Sequence, residues 1–450
     1  MLNKIAILRQ HKGFMKCFKN TSWLMGEKIL RMLVGIFVGV WVARYLGPEQ
    51  FGLLSYAQSF VFLFTAIASL GLDGILVREL VKDESQRDKL LGTVFGLKLM
   101  GAICIFPLLA IAIYFTDNDE YTKLLVFIIA SATIFQSFNV IDAYYQSKVL
   151  SKYVALANSV CLGLSSVIKV VLLVNHAPLI AFALMIVFDA FFLGLGLVYF
   201  YNKRSCLKLL GWTFDWQVAK KLLKDSWPLI FGSMAASIYM QIDQVMIQSM
   251  LGNSSVGHYA VAVKLSLMWL FITTSITSTL MPSIIKAKNY DEKLYLEKIE
   301  SMYGMLVKIS FVIAFFVSNF SEEIVVLLYG LEYSKSIDVL RVYVWSIVFV
   351  FLSNGSWAYY LNENLQKIAS VRLVVGAVIN VLLNLYLIGF YGIMGAVYAT
   401  LISHFISSYF INMLLLKTRR NFLMQTNSIV SLLKYASWVS CFSLSDKKWK

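Results

Sequence analysis

Charged side chains are scarce in this sequence. They make up 14% of its 450 residues, against roughly 25% in soluble domains, while 59% of the residues are hydrophobic. A chain of that composition cannot cover itself with a water-facing surface, which argues against a soluble globular protein. Cysteine and histidine are few as well. Cys17, Cys104, Cys161, Cys206 and Cys441 are scattered without a C-x-x-C pair, and His11, His176, His258 and His404 hold no metal-ligand or triad spacing. These absences argue against a disulfide framework, a zinc site and Ser-His-Asp chemistry. No G-x-x-x-x-G-K-[ST] loop occurs, so neither an ATP-driven step nor a cofactor is expected.

What the chain has in quantity is apolar runs of about 20 residues, the length needed to cross a bilayer. About twelve spans are expected. In the first half they fall near Ser22 to Ala43, Leu53 to Leu72, Leu91 to Phe115, Leu124 to Gln146, Val154 to Val174 and Leu179 to Tyr201. In the second half they fall near Trp227 to Leu251, Ala260 to Ile285, Met305 to Ser318, Val339 to Leu361, Ile368 to Ile388 and Ile393 to Leu416. The first run carries Glu27, Lys28 and Arg31 and has no small-residue cleavage site, so it reads as a retained span rather than a signal peptide.

The fold class is therefore all-α and polytopic, with two pseudo-repeated six-helix halves. The expected divisions are a tail at 1–21, a lobe at 22–201, a linker at 202–226, a second lobe at 227–416 and a basic tail at 417–450. Trp212, Trp216 and the lysines of the linker suit either a helix lying on the membrane surface or a simple tether. In the last tail, serines recur every three residues from Ser428 with Lys434 among them, which reads as an interfacial helix or a loosely ordered end and not as a further span.

The net charge of +15 is distributed by side. Clusters such as Arg78/Lys82/Arg87/Lys89, Lys203/Arg204/Lys208 and Lys286/Lys288/Lys293 alternate with loops that hold little beyond Arg44, Lys123 and Lys335. Positive loops stay cytoplasmic, so both termini are expected in the cytoplasm. The basic excess is then topology and contact with anionic membrane lipids, and no nucleic-acid partner is implied.

A short pattern occurs twice. Leu46-Gly47 is followed by Gly52, and Leu251-Gly252 by Gly257, each time ahead of a tyrosine and small residues. A repeated pair of helices joined by one kind of turn is a plan common among transporters.

Function must be sought in charges inside the spans, since each costs roughly 2.5 to 3.5 kcal/mol there and normally faces a cavity or a partner. Arg31, Lys98, Lys169 and Lys264 are the candidate cavity cations. Glu27, Asp189 and Asp243 are candidate cavity anions or ion-coupling groups. Cations outnumber anions among the buried charges, which favours an anionic cargo. Glu27 and Arg31, at i and i+4, are alternatively an intrahelical ion pair. Arg341, Arg372, Lys308 and Asp142 lie close enough to span ends to snorkel into the interface.

The segment W-V-A-R-Y-L-G-P-E-Q-F-G-L-L-S-Y-A from Trp41 and S-L-G-L-D-G-I-L-V-R-E-L from Ser69 resemble the amino-terminal signature of the polysaccharide-biosynthesis translocases, the Wzx-type O-antigen flippases. W-P-L-I-F-G-S at Trp227, Y-M-Q-I-D-Q-V-M-I at Tyr239 and L-L-Y-G-L-E-Y-S-K-S at Leu327 extend the resemblance, which runs from about Thr21 to Leu416. It implies a helical bundle of the multidrug/oligosaccharidyl-lipid/polysaccharide exporter superfamily in a bacterial inner membrane. It further implies transport of undecaprenyl-diphosphate-linked oligosaccharide from the cytoplasmic to the periplasmic leaflet, with O-antigen polymerase and a chain-length regulator as candidate partners. The weakly apolar tail after Leu416 departs from longer relatives.

The rival readings are a lipid II or other polysaccharide-precursor flippase and a cation-coupled drug exporter of the same superfamily, which would favour an acidic cavity. A polymerase would need a large outer loop with catalytic polar residues, and the expected outer loops are all short. No enzyme is therefore expected.

Overall fold

A computed structural model of the chain describes residues 12–205 and 209–433. The amino end before Lys12 and the tail beyond residue 433, including Lys434, lie outside the described residues. All regular structure in the described residues is helical. In lipid this follows from the backbone, because every N–H and C=O must be satisfied within the segment.

The helices in chain order are α1 (Lys12–Ser69), α2 (Leu72–Lys82), α3 (Arg87–Tyr114), α4 (Glu120–Gln136), α5 (Val140–Ser147), α6 (Lys152–Val174), α7 (Leu179–Ser205), α8 (Trp216–Leu251) and α9 (Asn253–Leu267). They continue as α10 (Leu270–Tyr290), α11 (Glu292–Asn319), α12 (Ser321–Tyr329), α13 (Lys335–Tyr343), α14 (Ser346–Asn362), α15 (Gln366–Tyr391), α16 (Ile393–Phe405), α17 (Ile411–Leu414) and α18 (Arg419–Val430). Among the described residues nine helical stretches are long and apolar enough to cross a membrane, or up to ten if the bent pair α13 and α14 is one span. Helix α8 is not one of them, because Gln241, Asp243, Gln244 and Gln248 dilute its apolar run.

Two compact units emerge, one of residues 1–46 and 53–237, the other of residues 47–52 and 238–450. They part inside α8, between Ser237 and Ile238. In the first unit Leu72, Leu76, Leu91, Val94, Ile141 and Tyr145 form a core with Tyr201 and Leu222. The stretch read as a linker is packed here. Trp212 donates from Nε1 to the Tyr201 hydroxyl at 3.1 Å, and Ala219 and Leu222 are buried, whereas Trp216 is exposed.

The repeated glycines break helices in the same way. Gly47 has φ 65° and ψ 172°, and Gly252 has φ 83° and ψ 176°, a region essentially closed to residues with a Cβ. Gly330, ahead of a short 3-10 turn, matches them with φ 87° and ψ 175°.

Within the second unit the two turns interlock. A Cβ on Gly52 would stand 1.8 Å from the Asn253 carbonyl oxygen, and one on Gly257 would stand 2.1 Å from that of Pro48. Each turn thus presents the residue after its first glycine to the second glycine of the other. Phe51 rides on this contact, edge-on to Tyr333 at 6.4 Å and under the Lys264 ammonium at 4.4 Å.

Helix α18 is packed with its polar side inward. Tyr303 Oη donates to Asn421 Oδ1 at 2.6 Å and Gln425 Nε2 donates to Ser356 Oγ at 2.8 Å, while Leu423 and Val430 face outward. That inversion is sustained by the hydroxyls that α11 and α14 offer to its amides.

Candidate functional site: a polar cavity in the first unit

Six segments of the first unit enclose a cavity of about 250 Å³. The end of α1 contributes Thr65 and Ser69, α2 contributes Asp73, α3 Lys98, α4 Thr133 and Gln136, the turn after α4 Asn139, and α8 Ser233 and Ser237. Nearly every lining side chain is a small hydroxyl, an amide or a charge. A space so lined in an otherwise apolar helical chain can hydrogen-bond hydroxyl groups, which hydrocarbon cannot do. The Ser137 hydroxyl in its wall is buried without a partner among the described residues.

Lys98 supplies the charge. Its side chain is 5% exposed, and its ammonium donates to Asp73 Oδ1 across the cavity wall, the Asp73 side chain being 64% exposed. Asp73 is not among the residues expected at the site, because the apolar run of the second span ends at Leu72, one residue earlier. The signal lay in L-G-L-D-G, where an acid follows a glycine at the foot of an apolar run.

The other expected residues are placed as follows. Glu27 is buried and accepts from Arg31 Nε at 2.8 Å and Nη2 at 2.6 Å, so these two form the intrahelical pair that their spacing allows. Arg31 itself is exposed on α1. Lys169 donates to Asp189 Oδ2 at 3.0 Å, bridging α6 and α7, with Asp189 Oδ1 buried and unpartnered among the described residues. Of the seven expected residues only Lys98 lines the cavity. Each of the first unit's three expected cations has an acid within ion-pair distance. The surplus of buried cations inferred from the sequence is therefore not a bare positive field there, because it omitted Asp73.

Lys264 and Asp243 belong to the second unit. Lys264 covers the ring of Phe51. Asp243 is buried and held by neutral groups: Tyr259 Oη at 2.6 Å and Thr400 Oγ1 at 2.7 Å from Oδ2, and Asn384 Nδ2 donating to Oδ1 at 2.6 Å. No Lys or Arg pairs with it among the described residues. Asn384 Oδ1 and Asn380 Nδ2 beside it have no partner there. Among the described residues no group of three or more His, Cys, Asp or Glu is placed to hold a metal ion.

Arg372, expected at the interface, is instead buried. Its Nη2 donates to Ser353 O at 3.2 Å and Oγ at 2.8 Å, and its guanidinium lies 4.9 Å from the Tyr360 ring centroid, with Nε and Nη1 unpartnered among the described residues. Near it Tyr239 Oη lies 2.7 Å from His404 Nδ1 and 2.9 Å from Ser407 Oγ, where the helix widens into one π turn, Ile406–Phe410.

Known proteins share both the sequence pattern and the fold. The polysaccharide biosynthesis protein family matches residues 17–288, more than half of the chain. A probable low-salt glycan biosynthesis flippase, Agl15 of Haloferax volcanii, is 26% identical over 203 residues, 42% of this chain and 43% of that protein. The match thus spans under half of that relative's length. A putative O-antigen transporter of Shigella dysenteriae is 21% identical over 366 residues, covering 80% of this chain and 89% of its own. Among solved structures, the inward-facing conformation of a multidrug resistance MATE family transporter of the MOP superfamily aligns with a TM-score of 0.69 at 16% identity, over 90% of this chain and 96% of that one. The lipid II flippase MurJ in an inward closed conformation aligns with a TM-score of 0.69 at 15% identity, over 95% and 94%. At those identities the structural likeness is one of fold.

Proposed function

This chain belongs to the polysaccharide biosynthesis protein family, and from that premise we propose that it is a flippase for undecaprenyl-diphosphate-linked O-antigen repeat units. It works by alternating access, from the cytoplasmic to the periplasmic leaflet of a bacterial inner membrane, with both termini cytoplasmic. The observation that carries the reading is the cavity of hydroxyls and amides around Lys98. The polyprenyl tail stays in lipid, the sugars pass along the neutral polar wall, and the diphosphate meets the one cation that lines the wall. Lys presents a point charge suited to a phosphate oxygen.

The step needs no nucleotide. Moving an anion outward from a negative interior is downhill by roughly 2.3 kcal/mol per charge per 100 mV. Asp243 with Tyr259, Thr400 and Asn384 is the proposed coupling site, taking a proton or sodium ion; transport indifferent to both an uncoupler and sodium removal would remove that role. A drug exporter is disfavoured because the carboxylate that lines this cavity, Asp73, is already paired with Lys98.

Expression of this chain in a bacterium lacking its own O-antigen translocase, with lipopolysaccharide ladders read on gels, tests the reading. Restored ladders support it. Absent ladders from well-expressed protein with several different O-units overturn it.

A further inference from the structure

Lys98 and Asp73 are an unequal pair. The ammonium is fixed in the wall of α3 at 5% exposure, whereas the carboxylate that meets it is 64% exposed. Around them the cavity offers only neutral groups such as Thr65, Ser69, Gln136 and Asn139. Asp73 therefore holds the place where an anionic group entering this cavity would find its strongest partner.

The backbone under Asp73 is specialised. It stands in the first turn of α2, directly after Leu70 and Gly71, two consecutive left-handed residues with φ of 51° and 62°. A leucine in that region carries strain of order 1 to 3 kcal/mol and persists only where its surroundings hold it. Its neighbour Gly71 packs closely on α8, where an added Cβ would stand 3.0 Å from Leu229 Cβ and 3.3 Å from the Ile230 amide nitrogen. The bend turns the chain so that the second residue of α2 reaches a lysine 25 positions away.

We infer that Asp73 is an internal stand-in for the cargo's anionic headgroup. It neutralises Lys98 while the cavity is empty and is displaced from it by a diphosphate when cargo binds. The inference rests on the flippase reading and adds to it a residue that sets affinity and release. A buried ammonium left without a partner is strongly unfavourable, which explains why an acid is kept beside a binding cation. A diphosphate carries more charge than a carboxylate and wins the exchange. Because Asp73 competes, cargo is held loosely enough to leave.

The test measures binding of undecaprenyl diphosphate to the full chain in lipid nanodiscs, with uncharged undecaprenol as control. We expect K98Q to lose diphosphate binding. We expect D73N, and D73S as a second variant in case the first does not fold, to bind it about tenfold tighter, equal to 1.4 kcal/mol, with undecaprenol binding unchanged. D73E, which keeps the charge, stays near wild type. Wild-type binding that K98Q weakens but D73N and D73S leave unchanged or weaken overturns the stand-in role while the flippase reading stands. Tighter undecaprenol binding by the Asp73 variants also overturns it, because the gain would then come from the tail. No binding of the diphosphate by wild type removes both the inference and the headgroup role of this cavity.

Discussion

Alanine at Gly52 is the sharpest test of the fold. Its Cβ would lie 1.8 Å from the Asn253 carbonyl oxygen and 2.7 Å from both the Asn253 carbonyl carbon and the Gly257 nitrogen. Real Cβ contacts essentially never fall under 3.0 Å, so the two turns must separate by more than about 1 Å, and each atom in the way is backbone that no rotamer can move aside. Overpacking of this kind costs about 1 to 3 kcal/mol, and the rigid neighbours place G52A at the upper end. Separation also loosens Phe51 from Tyr333 and Lys264. By contrast G304A, inside α11 with nothing within 4 Å of its Cβ, should be neutral or stabilising by about 0.5 to 1 kcal/mol. Thermal loss of monodisperse protein, followed by fluorescence-detected size exclusion in detergent, compares the two. G52A should melt several degrees below wild type and G304A at or above it. G257A should behave as G52A does, and the double variant should fall short of the sum, because both side chains open one contact. G52A melting with wild type would refute the interlocked turns.

Three further outcomes are expected. D243N should leave protein levels near normal while removing the dependence of transport on an uncoupler or on sodium; a dependence retained in full contradicts the coupling role. R31A should lower the yield of folded protein, since buried Glu27 loses its partner; a wild-type yield of well-folded protein refutes the structural role of the pair. R372M should melt no lower than wild type, because methionine fills a similar space without burying Nε and Nη1, which have no partner among the described residues. A fall in melting temperature as large as that of G52A would show that Arg372 is structural.

The polytopic helical class was legible from composition and from apolar runs, because the bilayer allows few other solutions. So was the pair of glycine turns, whose shared backbone angles at Gly47 and Gly252 match their shared spacing. The third turn of that geometry, at Gly330, was not recognised, because L-L-Y-G-L-E-Y lacks a second glycine five residues on. Charge partners were the least legible feature. Glu27 and Arg31 are neighbours along one helix and could be paired by counting, whereas Asp73 meets Lys98 through a bend that no periodicity reports. Arg372 looked close enough to a span end to reach water, but Ser353 and Tyr360 of α14 enclose it. In the carboxyl segment, the serines from Ser428 on suggest an interfacial helix or a loosely ordered end, and nothing in the pattern announces the burial of Asn421 and Gln425 in α18. They are buried because α11 and α14 supply Tyr303 and Ser356 as partners.

The most direct measurement follows a fluorescent undecaprenyl-diphosphate-linked oligosaccharide across proteoliposomes, using a membrane-impermeant quencher to count molecules in each leaflet. Reconstituted wild-type protein should make nearly all of the lipid accessible, and K98Q, at equal reconstitution, should leave about half protected as in empty vesicles. Protection unchanged by the wild-type protein, or flipping by K98Q at the wild-type rate, would contradict a cavity built around Lys98 for the lipid-linked headgroup.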